Sequence, residues 1–278
     1  MLPQFLSHQQ MMTISGNAAK NAPEEGSVSS YWMAYGGVAT GANHIRQNMP
    51  CQDAFFIKED KNFLVAAVAD GHGSSRCKYS HIGSGIAVEV VCEFLADLMK
   101  SSPDIFSQQK DIWIPKKLET AWKHAVFSNH NDTKEQFSYE LYGTTLLAVL
   151  VSDDFIFILQ IGDGDIIAIS DGNAYFLFND TAKIGEDTES LCMEESWKYI
   201  KTKIISTDSI DMLMLSSDGY SNSFITESDF FQAGVDLCKL WEDKDRLKEN
   251  LPVWLSQTSQ KGSGDDITVV LIKKTPAL

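Results

Sequence analysis

Four short apolar runs in this chain start or stop at an aspartate that touches a glycine. Three stop there: Val65-Ala66-Ala67-Val68-Ala69-Asp70-Gly71-His72-Gly73, Ile158-Leu159-Gln160-Ile161-Gly162-Asp163-Gly164-Asp165 and Met212-Leu213-Met214-Leu215-Ser216-Ser217-Asp218-Gly219. The other starts there, as Gly262-Ser263-Gly264-Asp265-Asp266-Ile267-Thr268-Val269-Val270. A carboxylate at a strand end, beside a residue without side-chain bulk, is fixed by a rigid sheet yet open to solvent and ligand. One Asp-Gly pair is an ordinary turn. Repetition at the ends of strand-like runs points further, because converging carboxylates repel one another unless a cation sits between them, which indicates a hard-metal site.

The 278 residues are enough to bury a substantial core. With 44% hydrophobic and 22% charged residues the chain reads as a soluble globular protein. A formal charge of −15 argues against a nucleic-acid or anionic-membrane surface. The five cysteines, Cys51, Cys77, Cys92, Cys192 and Cys238, are odd in number and form no Cys-x-x-Cys pair, as expected of free thiols in a reducing cytoplasm. No secretory signal and no apolar run of membrane-spanning length is visible, so a cytoplasmic location is expected.

Residues 1–30 are rich in Gln, Asn, Ser and Ala and read as a mobile extension; residues 31–278 read as one domain. Strands are expected over 54–57 and 63–69, the second apolar at almost every position, as a strand buried on both faces would be. Helices follow over 80–100 and 115–130, then strands over 144–151, 155–161, 165–170 and 174–178. Ser152-Asp153-Asp154 and Asp171-Gly172-Asn173 are hairpin-like links. Residues 179–201 are polar and read as a surface flap. A strand over 212–217, helices over 227–241 and 243–257, and a last strand over 267–272 complete a mixed α+β domain with antiparallel sheets between helical layers. Thr226-x-x-Asp229 resembles a capping box opening the first of these two helices.

Taken in order, Gln52-Asp53, Asp70-Gly71-His72-Gly73, Gly143-Thr144-Thr145, Gly162-Asp163, Ser217-Asp218-Gly219 and Asp265-Asp266-Ile267-Thr268-Val269 resemble the motifs of the metal-dependent Ser/Thr protein phosphatases, the PPM or type 2C family. The resemblance spans about residues 34–273. It implies a four-layer α-β-β-α sandwich, with two central antiparallel sheets flanked by helix pairs and a binuclear Mg²⁺ or Mn²⁺ site at one sheet edge. Elementary chemistry agrees. Hydrolysis of a phosphate ester needs a nucleophile, neutralised phosphoryl oxygens and a protonated leaving group, and two oxygen-ligated cations about 4 Å apart supply the first two. The absence of thiolate-rich motifs favours these hard ions over structural zinc.

By the same resemblance, Asp70 bridges the metals, the Gly71 carbonyl helps hold one, and Asp218 and Asp265 complete the other; Asp163 matches the position of a third, weaker ion. His72, with a reference pKa of about 6.5, is placed to protonate the departing Ser or Thr oxygen. Arg46 is the candidate phosphate clamp. It stands seven residues before Asp53, where the family spacing is four or five. Gln52 replaces an acidic neighbour of the metals, and Asp165 stands where a basic residue is common. Asp53 reads either as a metal ligand through water, or acceptor behind one, or as simple turn structure. Gly143, Thr144 and Thr145 are expected to permit close strand packing; Tyr142 and Trp197 read as packing residues, and Cys51 and Cys77 as inert thiols.

The implied function is hydrolysis of phosphoserine and phosphothreonine in a protein, such as a signalling kinase or its substrate, by a monomer that binds neither nucleic acid nor membrane. Two alternatives stand beside it: a pseudophosphatase that binds a partner without turnover, and a phosphatase dedicated to one regulatory protein.

Overall fold

The structure is a computed structural model that describes residues 32–130, 136–178, 188–208 and 210–275. The expected N-terminal extension, and the first part of the expected flap, lie outside the described residues.

Among the described residues ten strands form two five-stranded sheets. Strands β1 (Trp32–Ala39), β10 (Ile267–Lys274), β9 (Met212–Ser216), β6 (Asp165–Ser170) and β7 (Asn173–Phe176) lie in that order in one. The other runs β2 (Asp53–Glu59), β3 (Phe63–Asp70), β4 (Leu146–Ser152), β5 (Ile156–Ile161), β8 (Lys201–Ile205). Every neighbouring pair is antiparallel. Asp171 and Gly172, at φ 49° and 76°, make the left-handed turn that closes the β6–β7 hairpin.

The strand period of two explains the layering. On β3, Leu64, Ala66 and Val68 face the other sheet and meet Ile166, Leu213, Leu215 and Val270. Val65, Ala67 and Ala69 face outward onto α2 (Ser80–Ser101) and α4 (Trp113–Asn129), whose Val88, Val91, Leu95, Leu118 and Trp122 are buried there. Met212, Met214, Val269 and Leu271 face the opposite way, onto α6 (Glu227–Leu240) and α7 (Lys244–Lys261). The molecule is therefore an α-β-β-α sandwich with three apolar layers, and a strand like β3 is apolar throughout because both its faces are covered. Thr226 caps α6 as expected, its Oγ1 accepting the Asp229 N–H at 3.2 Å. Three short helices, α1 (Ala42–Gln47), α3 (Ile105–Gln109) and α5 (Asp218–Ser221), complete the described α-helices.

Two strands were not legible as strands. β1 carries Gly36-Gly37, residues that weaken a strand pattern, yet a Cβ on Gly36 would stand 2.3 Å from the Phe55 ring and one on Gly37 2.9 Å from Leu251. The pair lets β1 fit between the other sheet and α7. β8 is the partly exposed edge strand Lys-Thr-Lys-Ile-Ile, whose lysines hide a strand pattern and also blunt the edge. The described end of the expected flap is not loose: Leu191 is buried and its N–H donates to the Thr144 carbonyl at 3.0 Å.

Candidate active site

The strand ends carrying Asp53 and Asp70 meet those carrying Asp218 and Asp265 at one edge of the sandwich. Asp53 and Asp70 are paired directly across β2 and β3. Asp70 continues the face of Leu64, Ala66 and Val68, so it points toward the second sheet. Its backbone is clamped from the two residues that lead into β4: its N–H donates to Thr145 Oγ1 at 3.0 Å, and its carbonyl accepts from Thr144 Oγ1 and the Thr145 N–H, both at 2.9 Å. Gly143-Thr144-Thr145 thus holds the main chain under the site, as close packing predicted.

From the second sheet, Asp218 opens α5 immediately after β9. The residue before it, Ser217, stitches the sheets together: its Oγ donates to Asp53 Oδ2 at 2.6 Å and accepts the Thr268 N–H at 2.9 Å. Asp265 precedes β10, and its Oδ1 accepts the Asp266 N–H at 2.8 Å. Asp163 sits in the link that carries the chain from β5 in one sheet to β6 in the other, where Gly162 takes φ +93°. Thr188 Oγ1 donates to Asp163 Oδ2 at 2.6 Å.

Burial and mutual repulsion dominate the electrostatics. Burial holds Asp70 well above the ordinary carboxylate range, and the charges of Asp53, Asp218 and Asp265 push it further. Burial raises Asp53 to about 7, with the Ser217 hydrogen bond acting against it and Asp266 acting with it. Asp218 rises to about 6 through burial and the charge of Asp163. The side chains of Asp70 and Asp218 adjoin, and each shifts the titration of the other. Among the described residues no three metal-ligating side chains close round a single point. The donor set nonetheless fits hard divalent cations: all-oxygen, acidic, and with one buried oxygen, Asp53 Oδ1, lacking any hydrogen-bond partner.

His72 is half-buried beside this group. Burial lowers its pKa and the charge of Asp163 opposes that shift, so the imidazole and Asp163 feel one another. Arg46 lies on α1, exposed, with its guanidinium hydrogen bonded to Asn43 Oδ1. The extra residues between Arg46 and Asp53 are taken up by the left-handed Asn48, φ 53°, which ends α1, and by the loop after it. Gln52 is buried and its amide Nε2 donates to Ser80 Oγ at 2.8 Å, tying it to α2. Asp165 shares the strand face of Ile167 and Ile169, toward the helices. Burial raises it to about 6, a hydrogen bond from Ser221 opposes that, and its charge couples to Asp218 and Asp163. It adds to their repulsion.

Tyr142 is buried and bonded to His130 Nδ1 at 3.0 Å, whereas Trp197 stacks under the Lys116 ammonium at 4.1 Å. A Cβ on Gly143 would stand 2.8 Å from His72 Cδ2, 3.2 Å from Cys77 Sγ and 3.3 Å from Cys192 Sγ, so both thiols pack beside His72. Burial raises the pKa of each, keeping them neutral, and Cys51 is raised likewise. The sequence singled out neither Thr188 nor His44, and it placed Ser217 and Asp266 inside matched motifs without assigning either a role. Ser217 and Asp266 adjoin the motif aspartates, but only the folded contacts show what they hold.

A sequence model described as protein phosphatase 2C matches residues 40–256. The chain belongs to the protein phosphatase 2C family. That match runs from the start of α1 into α7 and includes Asp53, Asp70, Asp163 and Asp218. Among curated relatives of this family member is the serine/threonine phosphatase stp of Listeria innocua, 22% identical over 255 residues that make up 84% of this chain and 94% of the relative. The crystal structure of serine/threonine phosphatase Stp1 from Staphylococcus aureus aligns with a TM-score of 0.60 at 16% identity, covering 91% of this chain and 99% of the other. A structure of RsbX in complex with magnesium aligns with a TM-score of 0.53 at 16% identity, over 87% and 94% of the two chains. These structural likenesses establish the shared fold. Among the described residues no helix is long and apolar enough to cross a membrane.

Proposed function

We propose that this family member hydrolyses phosphoserine and phosphothreonine esters in a protein substrate, using Mg²⁺ or Mn²⁺ held by Asp70, the Gly71 carbonyl, Asp218 and Asp265. Asp163 takes a further, weaker ion, and Asp53 acts behind the first two as an acceptor for bound water. Bound there, the cations supply an activated water and neutralise the phosphoryl oxygens. The carrying observation is the convergence of buried carboxyls from both sheets: Asp53 pairs with Asp70 across β2 and β3 and is bonded to Ser217 beside Asp218, and burial and acidic neighbours raise all three. Such a cluster is relieved only by protons or by cations.

The chain's own groups divide the remaining work. Burial makes His72 a stronger acid than free imidazole, suited to giving its proton to the departing alkoxide, while Asp163 favours the protonated form. Arg46 offers paired N–H donors to the phosphoryl group from the rim. The names of the Listeria and Staphylococcus relatives favour a phosphoprotein substrate. One observation favours the pseudophosphatase reading: Gln52 brings no charge and is turned onto Ser80.

Initial rates on a phosphothreonine peptide in EDTA, Mg²⁺ and Mn²⁺ separate the readings. The enzyme is silent in EDTA and turns over with either ion. Metal binding with no turnover of this peptide or of p-nitrophenyl phosphate would replace it with the partner-binding fold, and turnover of a single phosphoprotein alone would identify a dedicated phosphatase.

A further inference from the structure

Asp266 is 2% exposed and accepts three hydrogen bonds, all from the segment between β1 and β2. The Gly41 N–H reaches Oδ1 at 2.6 Å, the Gln52 N–H reaches Oδ2 at 2.6 Å, and His44 Nδ1 lies 2.9 Å from Oδ2. A carboxylate accepts only, so His44 carries its proton on Nδ1 and donates. The same segment is fastened beside Asp266 as well. The Asn43 N–H donates to the Gly264 carbonyl at 2.9 Å, and the Ala42 N–H to Ser259 Oγ at 3.1 Å. Ser259 Oγ in turn donates to the Asp265 carbonyl at 2.8 Å. Gly41 lies so close that a Cβ there would stand 2.4 Å from the Asp265 carbonyl carbon.

Helix α1, which these contacts hold, has six residues, buries none of them and has no side-chain N-cap. A helix that short is marginal by itself. Its orientation is therefore set by what fastens it, and His44 makes the side-chain bond from the helix to Asp266. Arg46 follows two residues later, latched to Asn43, whose side chain lies over Gly264 at φ +78°.

We propose that His44 and Asp266 are positioning residues, which orient α1 so that Arg46 reaches the phosphoryl group bound beside Asp265. The inference rests on the reading of Arg46 as the phosphate clamp and adds what aims it. Neither residue touches substrate. The hydrogen bond across 222 positions of sequence replaces the short link by which a closer Arg would be held to the first acidic motif.

The test measures kcat and KM of the full chain with Mn²⁺ on a phosphothreonine peptide, for Arg46→Ala, His44→Ala, His44→Asn and the double Ala variant, with Tm as a folding control. Arg46→Ala is expected to raise KM about tenfold or more, the scale of a lost charge-assisted hydrogen bond. His44→Ala raises KM about threefold to tenfold with kcat within about twofold, and His44→Asn, whose amide donor sits near the place of Nδ1, recovers most of that loss. The double variant matches Arg46→Ala, because His44 acts through Arg46. A KM rise in Arg46→Ala without one in His44→Ala, or additive effects in the double variant, overturns the inference and leaves the clamp standing. A silent Arg46→Ala overturns both. Should His44→Ala fail to fold, His44→Gln, which keeps bulk but offsets the donor, is judged by the same criterion.

Discussion

Asp53 and Asp70 face each other directly across the β2–β3 ladder, two carboxyls in a position where like charges destabilise a sheet. Burial raises both above the ordinary range, Asp53 to about 7, while an unfolded Asp titrates near ~3.9. Between those pH values the folded chain holds more protons than the unfolded one. Stability from the protonated carboxyl is thus complete below about pH 4 and lost as pH climbs through about 7. In EDTA, Tm should fall between pH 5 and 7.5, and the gain in Tm on adding Mg²⁺ should widen over the same window because cation and proton compete. A gain that does not change with pH would count against the assignment. Asp53→Asn in EDTA at pH 7.5 should raise Tm.

Ser217 connects Asp53 of one sheet to the Thr268 N–H of the other. Ser217→Ala leaves that buried N–H unpaired and removes a donor from Asp53. Urea unfolding should show a loss of about 1–3 kcal/mol; a change below about 0.5 kcal/mol would mean that this stitch contributes little to joining the sheets.

Gly143 has φ −53°, so alanine there is not strained by its backbone. Its Cβ would meet His72 Cδ2 at 2.8 Å and displace the ring. Gly143→Ala should lower kcat by about tenfold to a hundredfold, the scale of a small misplacement of a catalytic group, with Mn²⁺ affinity within about threefold of the parent. Equal losses of affinity and kcat would show that the contact disturbs the carboxylates instead.

A general acid is needed for a poor leaving group and hardly at all for a good one. His72→Asn should cut kcat on a phosphothreonine peptide by about 10²-fold or more and on p-nitrophenyl phosphate far less. Equal losses on both would remove His72 from the proton-transfer role.

The aspartates and the layer order were legible because each is written locally: an apolar run of strand length, then Asp beside Gly. β3 shows this most plainly, apolar on both faces and ending at Asp70. What was not legible depends on the partner across the fold. Gly36-Gly37 weakens a strand pattern until Phe55 and Leu251 are placed on either side of it. Asp266 looks like one more acidic residue beside Asp265, yet its oxygens are filled by donors more than 200 positions away. Asp165 shows the limit from the other direction: its charge was read from sequence, but only strand parity in the fold puts its side chain on the helix-facing side.

Calorimetric titration of Mn²⁺ into the metal-free chain at pH 7.5, beside Asp70→Asn and Asp218→Asn, counts the ions that these carboxylates hold. The parent should bind about two ions, as a two-metal site requires. Asp70→Asn should lose both because it removes the shared ligand, and Asp218→Asn should lose one. A parent that binds no Mn²⁺, or an Asp70→Asn variant that binds like the parent, would mean that these aspartates hold no metal pair.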